Sequence, residues 1–353
     1  MCSVTRHRVL RPDGTLVEGA EPRLSLERTV DGLRWMMLSR AFDARAIALQ
    51  RQGRIGIYGP VKGQEASVVG TALALDPAID WIVPATRELP ALLRHGHRLE
   101  RILAERMGRM GPARIPDDAR ILPNQVAIAT QLPHAVGLAW GLRLQRSSAV
   151  VMAYCGDGAS SEGDFHEACN LAGVRRAPVV IVVVDNQWAI STSREVQTAG
   201  EFHRRAEGYG FPGVAVDGDD LLAVAEAADE AVARARRGDG PTLIDCRTHR
   251  LGFHNTTDDP RAYLPEGWLE EAERSDPIPR VQAYLAARGL WDDATRDAVE
   301  AEIAERLDAA VEAAAATPAA RPDDVFENVY ANPPERVRRQ REELSRLTGG
   351  SGA

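Results

Sequence analysis

Between residues 149 and 246, short β-branched runs alternate with amphipathic segments, and this alternation restricts the fold more than any other feature of the chain. Residues 149–154, 179–185, 214–216 and 242–246 read as strands, while 163–176 and 220–237, the latter closed by Gly238, read as helices. Strands separated by helices of this length build βαβ units with right-handed crossovers. The expected fold class is therefore α/β, a parallel sheet with helices on both faces. Upstream, residues 24–52, 63–75, 99–108 and 127–144 carry apolar groups at helical spacing, the last segment rich in small residues. After Pro277 the chain reads as helical and Ala/Glu/Arg-rich, through 293–316 and 335–347, and ends in a Gly-Gly-Ser-Gly-Ala tail expected to be disordered. The organisation expected is an N-terminal helical extension over 1–50, an α/β domain over 51–275, and a C-terminal helical extension with its tail over 276–353.

Composition narrows the function. The 353 residues carry a formal net charge of -8, a poor basis for neutralising nucleic-acid phosphates, so no nucleic acid is expected as a partner. The longest apolar run, 177–184, is far below the roughly 20 residues needed to span a bilayer. Residues 1–10 carry no apolar signal stretch, so a cytoplasmic location is expected and no membrane partner. Cys2, Cys155, Cys169 and Cys246 are scattered without metal-site spacing. Lys62 is the one lysine of the chain and is followed by Gly63 rather than Ser or Thr, which excludes a P-loop.

Ligands of open parallel sheets bind beyond the carboxyl ends of the strands. Two such ends are unusual here: one runs into Gly156-Asp157-Gly158-Ala159, the next into Asn186-Gln187-Trp188. If these strands are neighbours, Asp157 and Asn186 arrive at one edge as hard oxygen donors suited to Mg²⁺ or Ca²⁺. The flanking glycines and the following helix N-terminus suit an anion, so the site reads as a metal plus a diphosphate. Two plainer readings compete: a simple Gly-Asp-Gly turn, with Asn186 as a cap, and a dinucleotide site with Asp185 as its ribose acid. Ser161 stands where the dinucleotide pattern needs Gly or Ala, which argues against the second.

Gly156-Asp157-Gly158 followed by Asn186 resembles the thiamine diphosphate motif. With residues 163–172 and 186–192 it resembles the alpha subunit of the decarboxylating component of 2-oxo acid dehydrogenase complexes, closest to the branched-chain type, with the pyruvate type next. The resemblance is collinear through Arg51-Gln52-Gly53, Gly63-Gln64-Glu65-Ala66, Ala129-Thr130-Gln131, Val216-Asp217-Gly218 and Arg250-Leu251-Gly252-Phe253-His254.

It implies a thiamine-diphosphate-binding fold, with residues 51–275 as the diphosphate-side domain. Asp157, Asn186 and the Trp188 carbonyl would hold Mg²⁺. The cofactor-binding positions carried over are Thr86, Arg87, Val126, Ile128, Gly158, Ala159 and His254, with Arg87 on the diphosphate and Ile128 supporting the bent cofactor. Arg250 and His254 would sit on a loop over the active centre, in catalytic roles. Thr130 and Gln131 fall where some members hold a structural monovalent cation.

The reaction implied is oxidative decarboxylation of a 2-oxo acid, with acyl transfer to a lipoyl-bearing acyltransferase. A beta subunit would complete the active site, in a two-plus-two heterotetramer. Branched-chain acids are favoured, with a pyruvate or acetoin enzyme, an NAD-binding oxidoreductase, or a noncatalytic assembly subunit as alternatives. Departures from the family pattern are Thr86 for a tyrosine, Val126 for a serine, Val184 and Leu264 for arginines, Asn255 for a regulatory phosphoserine, and a missing Gly-rich stretch between Gly111 and Pro123. His134, His166 and His203 read as structural histidines within helices, and 293–316 as a solvated or subunit-facing helix.

Overall fold

The computed structural model describes residues 6–109, 115–327 and 329–348. The tail expected to be disordered, 349–353, lies outside them, as does Cys2.

The βαβ pattern is realised as a five-stranded, all-parallel sheet. Its strands are β1 (Trp81–Val83), β2 (Val151–Gly156), β3 (Val179–Asp185), β6 (Gly213–Asp217) and β7 (Thr242–Arg247), in the order β1-β2-β3-β7-β6. A two-stranded antiparallel hairpin, β4 (Trp188–Ala189) and β5 (Thr192–Ser193), follows the central strand. Helix α1 (Leu26–Arg51) opens the described chain, followed by α2 (Glu65–Leu73), α3 (Leu89–Arg94), α4 (Leu99–Arg106) and α5 (Gln131–Leu144). Next come α6 (Gly163–Arg175), two single turns α7 (Arg194–Gln197) and α8 (Arg205–Gly208), and α9 (Leu221–Arg236). The C-terminal part holds α10 (Trp268–Glu273), α11 (Pro277–Ala286), α12 (Asp293–Ala316) and α13 (Glu335–Leu347). Among the described residues no helix is long and apolar enough to cross a membrane.

Strand periodicity explains the two cores. Every residue of β3 is buried, and alternate side chains leave opposite faces of the pleat. Val180, Val182 and Val184 join Met152, Tyr154 and Ile244 under α2 and α9, whereas Val179, Ile181 and Val183 join Val151, Ala153 and Leu243 under α5 and α6. An Ile181→Ala change should lower the unfolding free energy by ~2–5 kcal/mol, since a fully buried branched side chain leaves a cavity; urea denaturation of the chain reads this directly.

Three boundaries move for physical reasons. The helix expected from 127 begins at Gln131 because Ala129 takes a left-handed φ of 69°. The strand at 81–83 escapes periodicity because it is three residues long, and α3 is hidden by Pro90 in its first turn. His203 lies in a turn before α8 rather than in a helix. Helix α12, expected as a solvated or subunit-facing element, leaves most of its residues exposed and buries Val299, Ile303, Leu307, Ala310, Val311 and Ala314 against α1 and α4. Its many charged and alanine positions conceal an apolar stripe at three- and four-residue steps.

Candidate functional site

Strands β2 and β3 are direct parallel neighbours, with Gly156 in register with Val184, so the turns leaving them emerge side by side. Asp157 opens a 3-10 turn, Asp157–Ser161, that leads into α6. Asn186 follows β3 directly and is buried; its Oδ1 accepts the Trp188 N–H at 3.1 Å, while its Nδ2 donates to Gln64 Oε1 at 3.0 Å. That pair fixes which way the amide points. The turn packs against β4: a Cβ on Gly158 would lie 2.8 Å from that of Ala189, so glycine is needed for the close approach. Ala159 is buried beside it.

Asp157 is only 2% exposed, and Gln197 Nε2 donates to its Oδ2 at 3.0 Å. Burial first, then the nearby Asp185 charge, pushes its carboxyl up to about 6. A buried carboxylate held this way favours a cation beside it.

Arg250 is buried and binds the hairpin from the other side. Its guanidinium donates to the Trp188 carbonyl at 3.2 Å, to the Ile190 carbonyl at 2.8 Å and to Tyr263 Oη at 2.6 Å. The carbonyl of Trp188 is thus aimed at a cationic position, and Gln187 and Ile190, at φ 72° and 57°, are held in the strained conformations that aim it. Tyr263 Oη and the His254 N–H both donate to Asp258 Oδ2, so Asp258 ties the loop 250–264 together.

Arg87 reaches this loop from the turn after β1. Its guanidinium donates to the His254 carbonyl at 2.7 Å and meets His254 Nδ1 at 3.0 Å. Since arginine has no acceptor, Nδ1 must accept, and the neutral imidazole carries its proton on Nε2. Burial, reinforced by Arg87 and Arg250, pushes the His254 imidazolium down to about 4. Arg87 Nε is buried without a partner, and burial lowers the Arg87 guanidinium from its usual range. Glu88 fixes the turn: its Oε2 accepts the N–H groups of Ala85 and Arg87.

The structure therefore brings Asp157, Gly158, Ala159, Asn186, Trp188 and Arg250 to one sheet edge, with Arg87 and His254 paired beside them. Thr86 is exposed next to Arg87, at the wall of a cavity. Val126 and Ile128 precede α5 and are 86% and 58% exposed, outside any packed cluster. Asp185, the rival ribose acid, is fully buried and ion-paired to Arg194 at 2.9 Å and Arg247 at 2.5 Å, which removes it from that role. Gln64, Glu88 and Gln197 were not singled out from the sequence. Gln64 lies within Gly63-Gln64-Glu65-Ala66 and Glu88 directly follows Arg87, whereas nothing local marks Gln197.

The family described as "Dehydrogenase E1 component" matches residues 33–323. The chain is 38% identical, over 94% of its length and 90% of the relative's, to a pyruvate dehydrogenase E1 component subunit alpha of Bacillus subtilis. It is 39% identical, over 96% of its length and 92% of the relative's, to a 3-methyl-2-oxobutanoate dehydrogenase subunit alpha of Mycobacterium tuberculosis. The two relatives are named for different 2-oxo acids and lie equally near. With its parallel α/β sheet, the chain belongs to the dehydrogenase E1 component family as an alpha subunit of the 2-oxo acid dehydrogenase type.

Proposed function

We propose that this chain is the diphosphate-side subunit of a thiamine-diphosphate-dependent, Mg²⁺-requiring enzyme that oxidatively decarboxylates a 2-oxo acid. A branched-chain acid is favoured over pyruvate or acetoin, and a lipoyl group on a partner acyltransferase receives the acyl unit. The observation that carries the reading is the arrival of Asp157 and Asn186 at the ends of adjacent parallel strands. The donor set fits the metal: a carboxylate, an amide oxygen and the Trp188 carbonyl are all hard oxygens. Asn186 Oδ1 accepts from the Trp188 N–H and the Trp188 carbonyl from Arg250, and each oxygen has a second lone pair. The orphaned, buried Arg87 Nε and the close-packed Gly158 fit a diphosphate.

The bound cofactor supplies the electron sink for decarboxylation. The chain's own residues bind and orient. Asp157, Asn186 and Trp188 would hold Mg²⁺, Arg87 would neutralise the diphosphate, and the Gly158 and Ala159 backbone would approach it. His254, with Nε2–H free of the Arg87 contact, would donate toward the reacting group, on a loop that Arg250 fastens to the metal-side hairpin. Val126 and Ile128, exposed on this chain, would meet the cofactor and the beta subunit that completes the site. Gln131 Oε1 is buried without a partner, which suits the structural monovalent cation expected near Thr130 and Gln131.

Calorimetry on the chain assembled with its partner subunit, comparing thiamine diphosphate plus Mg²⁺ against NAD, tests the reading. Binding of NAD with no response to the diphosphate would overturn it. A pH dependence follows as well. The Asp157 pKa is raised in the folded chain, so the stability it contributes is present below the ordinary carboxylate range and is lost as pH rises through about 6. Mg²⁺ binds the ionised form and returns that loss. The rise in melting temperature on adding Mg²⁺ and thiamine diphosphate should be small at pH 5 and grow toward pH 7.5, and Asp157→Asn should flatten the trend.

A further inference from the structure

Among the described residues, a cavity of about 660 Å³ adjoins the Arg87–His254 pair. Gly59 and Thr86 both line it and form the wall it shares with the site. A Cβ on Gly59 would lie 3.0 Å from the His254 carbonyl oxygen and 3.6 Å from the Arg87 guanidinium, so the wall there is the backbone of the site itself. Further in, the lining is apolar, with Phe42, Leu89, Leu92, Ile102, Ile115 and Ile121 drawn from α1, α3, α4 and the chain before β2.

Size and charge select the occupant. The volume lies within the range of about 300–1,000 Å³ in which pockets enclose drug-sized ligands, well beyond what the methyl group of pyruvate would fill. The charged residues on the wall, Glu105, Arg106 and Asp117, sum to one negative charge, which disfavours a substrate with a second carboxylate. An apolar wall gains from each buried methylene, about 0.8 kcal/mol apiece.

We infer that this cavity receives the side chain of the substrate, and that 2-oxo acids with an aryl or medium-length alkyl chain are preferred over the branched-chain acids, which in turn are favoured over pyruvate. The inference rests on the proposed decarboxylase reading, and its test separates the two. The assembled enzyme, loaded with thiamine diphosphate and Mg²⁺, is assayed for release of carbon dioxide from pyruvate, 3-methyl-2-oxobutanoate, 2-oxooctanoate and 4-phenyl-2-oxobutanoate. Binding of the inert 4-phenylbutanoate to the same assembly without cofactor is followed by calorimetry.

The expected result is a kcat/KM for the two large acids at least about tenfold above that for pyruvate, the scale on which apolar pockets discriminate. Ala119→Trp and Leu92→Trp narrow the cavity from two different segments. Each should raise KM for the large acids by about tenfold while leaving kcat and the pyruvate KM unchanged, and each should weaken 4-phenylbutanoate binding by about as much. Because the two variants alter separate elements, a folding failure in one, seen by circular dichroism, leaves the other to decide. Preference for pyruvate or 3-methyl-2-oxobutanoate with no effect of either variant overturns the inference and leaves the decarboxylase reading intact. No turnover of any 2-oxo acid, despite an assembled complex, overturns that reading and the inference with it.

Discussion

In the assembled enzyme, Asp157→Ala is expected to weaken Mg²⁺-dependent retention of thiamine diphosphate by more than about 100-fold, because losing a ligand should exceed the ~10–100-fold cost of losing a group that only orients one. Asp157 is the one charged member of the proposed donor set, and it is buried, with 2% exposed. The diphosphate would then face Arg87 alone, with the neutralisation of its second charge lost. Asn186→Ala removes a neutral oxygen and should cost less. It also deprives Gln64 Oε1 of its donor, so part of its effect is repacking of the α2 start. Gln64→Ala separates the two contributions: if orientation of Asn186 matters, it should weaken retention by about 10-fold, at the lower end of that range. Equilibrium dialysis of the three variants reads retention without requiring turnover. Wild-type retention in both the Asp157 and Asn186 variants would sink the strand-end metal site.

The parts legible in the sequence are those written in local pattern. The all-buried run of β3 announces a central parallel strand because nothing but apolar branched residues satisfies both faces. The donors Asp157 and Asn186 are legible because a strand end is also a sequence position. Their supports are not, since Gln64 meets Asn186 across 122 residues and Gln197 meets Asp157 across 40. Such long polar side chains carry no periodic signal, and only the fold decides which of them lands on a ligand. Arg250 was legible as a loop residue of the family pattern, yet its attachment to the Trp188 and Ile190 carbonyls required the hairpin geometry. In helix α12 the exposed, charge-rich face is what composition makes legible, while the narrow apolar stripe that packs on α1 and α4 shows only at three- and four-residue steps.

His254→Ala should lower kcat by about 10²–10⁴-fold, the range for removing a positioned proton donor, while leaving Mg²⁺ binding near wild type. The argument is geometric before it is electrostatic. Arg87 donates to Nδ1 at 3.0 Å, which places the proton on Nε2 and makes that atom the donor available to a reacting group. With the imidazolium pushed down to about 4 by burial and two guanidinium groups, the ring is neutral throughout the physiological range. It follows that His254 contributes no ionisation to the kcat profile between pH 6 and 9, and that its loss should scale the profile without shifting it. His254→Gln keeps an N–H donor of similar reach and should recover part of the turnover, which a purely structural histidine would not predict. The same substitution leaves Arg87 with an acceptor in the glutamine oxygen, so diphosphate binding is a fair internal control. Because His254 is tied to Asp258 through its own backbone N–H at 2.6 Å, the loop should keep its protection from proteolysis in the alanine variant. Loss of that protection together with turnover would reassign His254 to holding the loop in place, and unchanged turnover would remove it from the chemistry altogether.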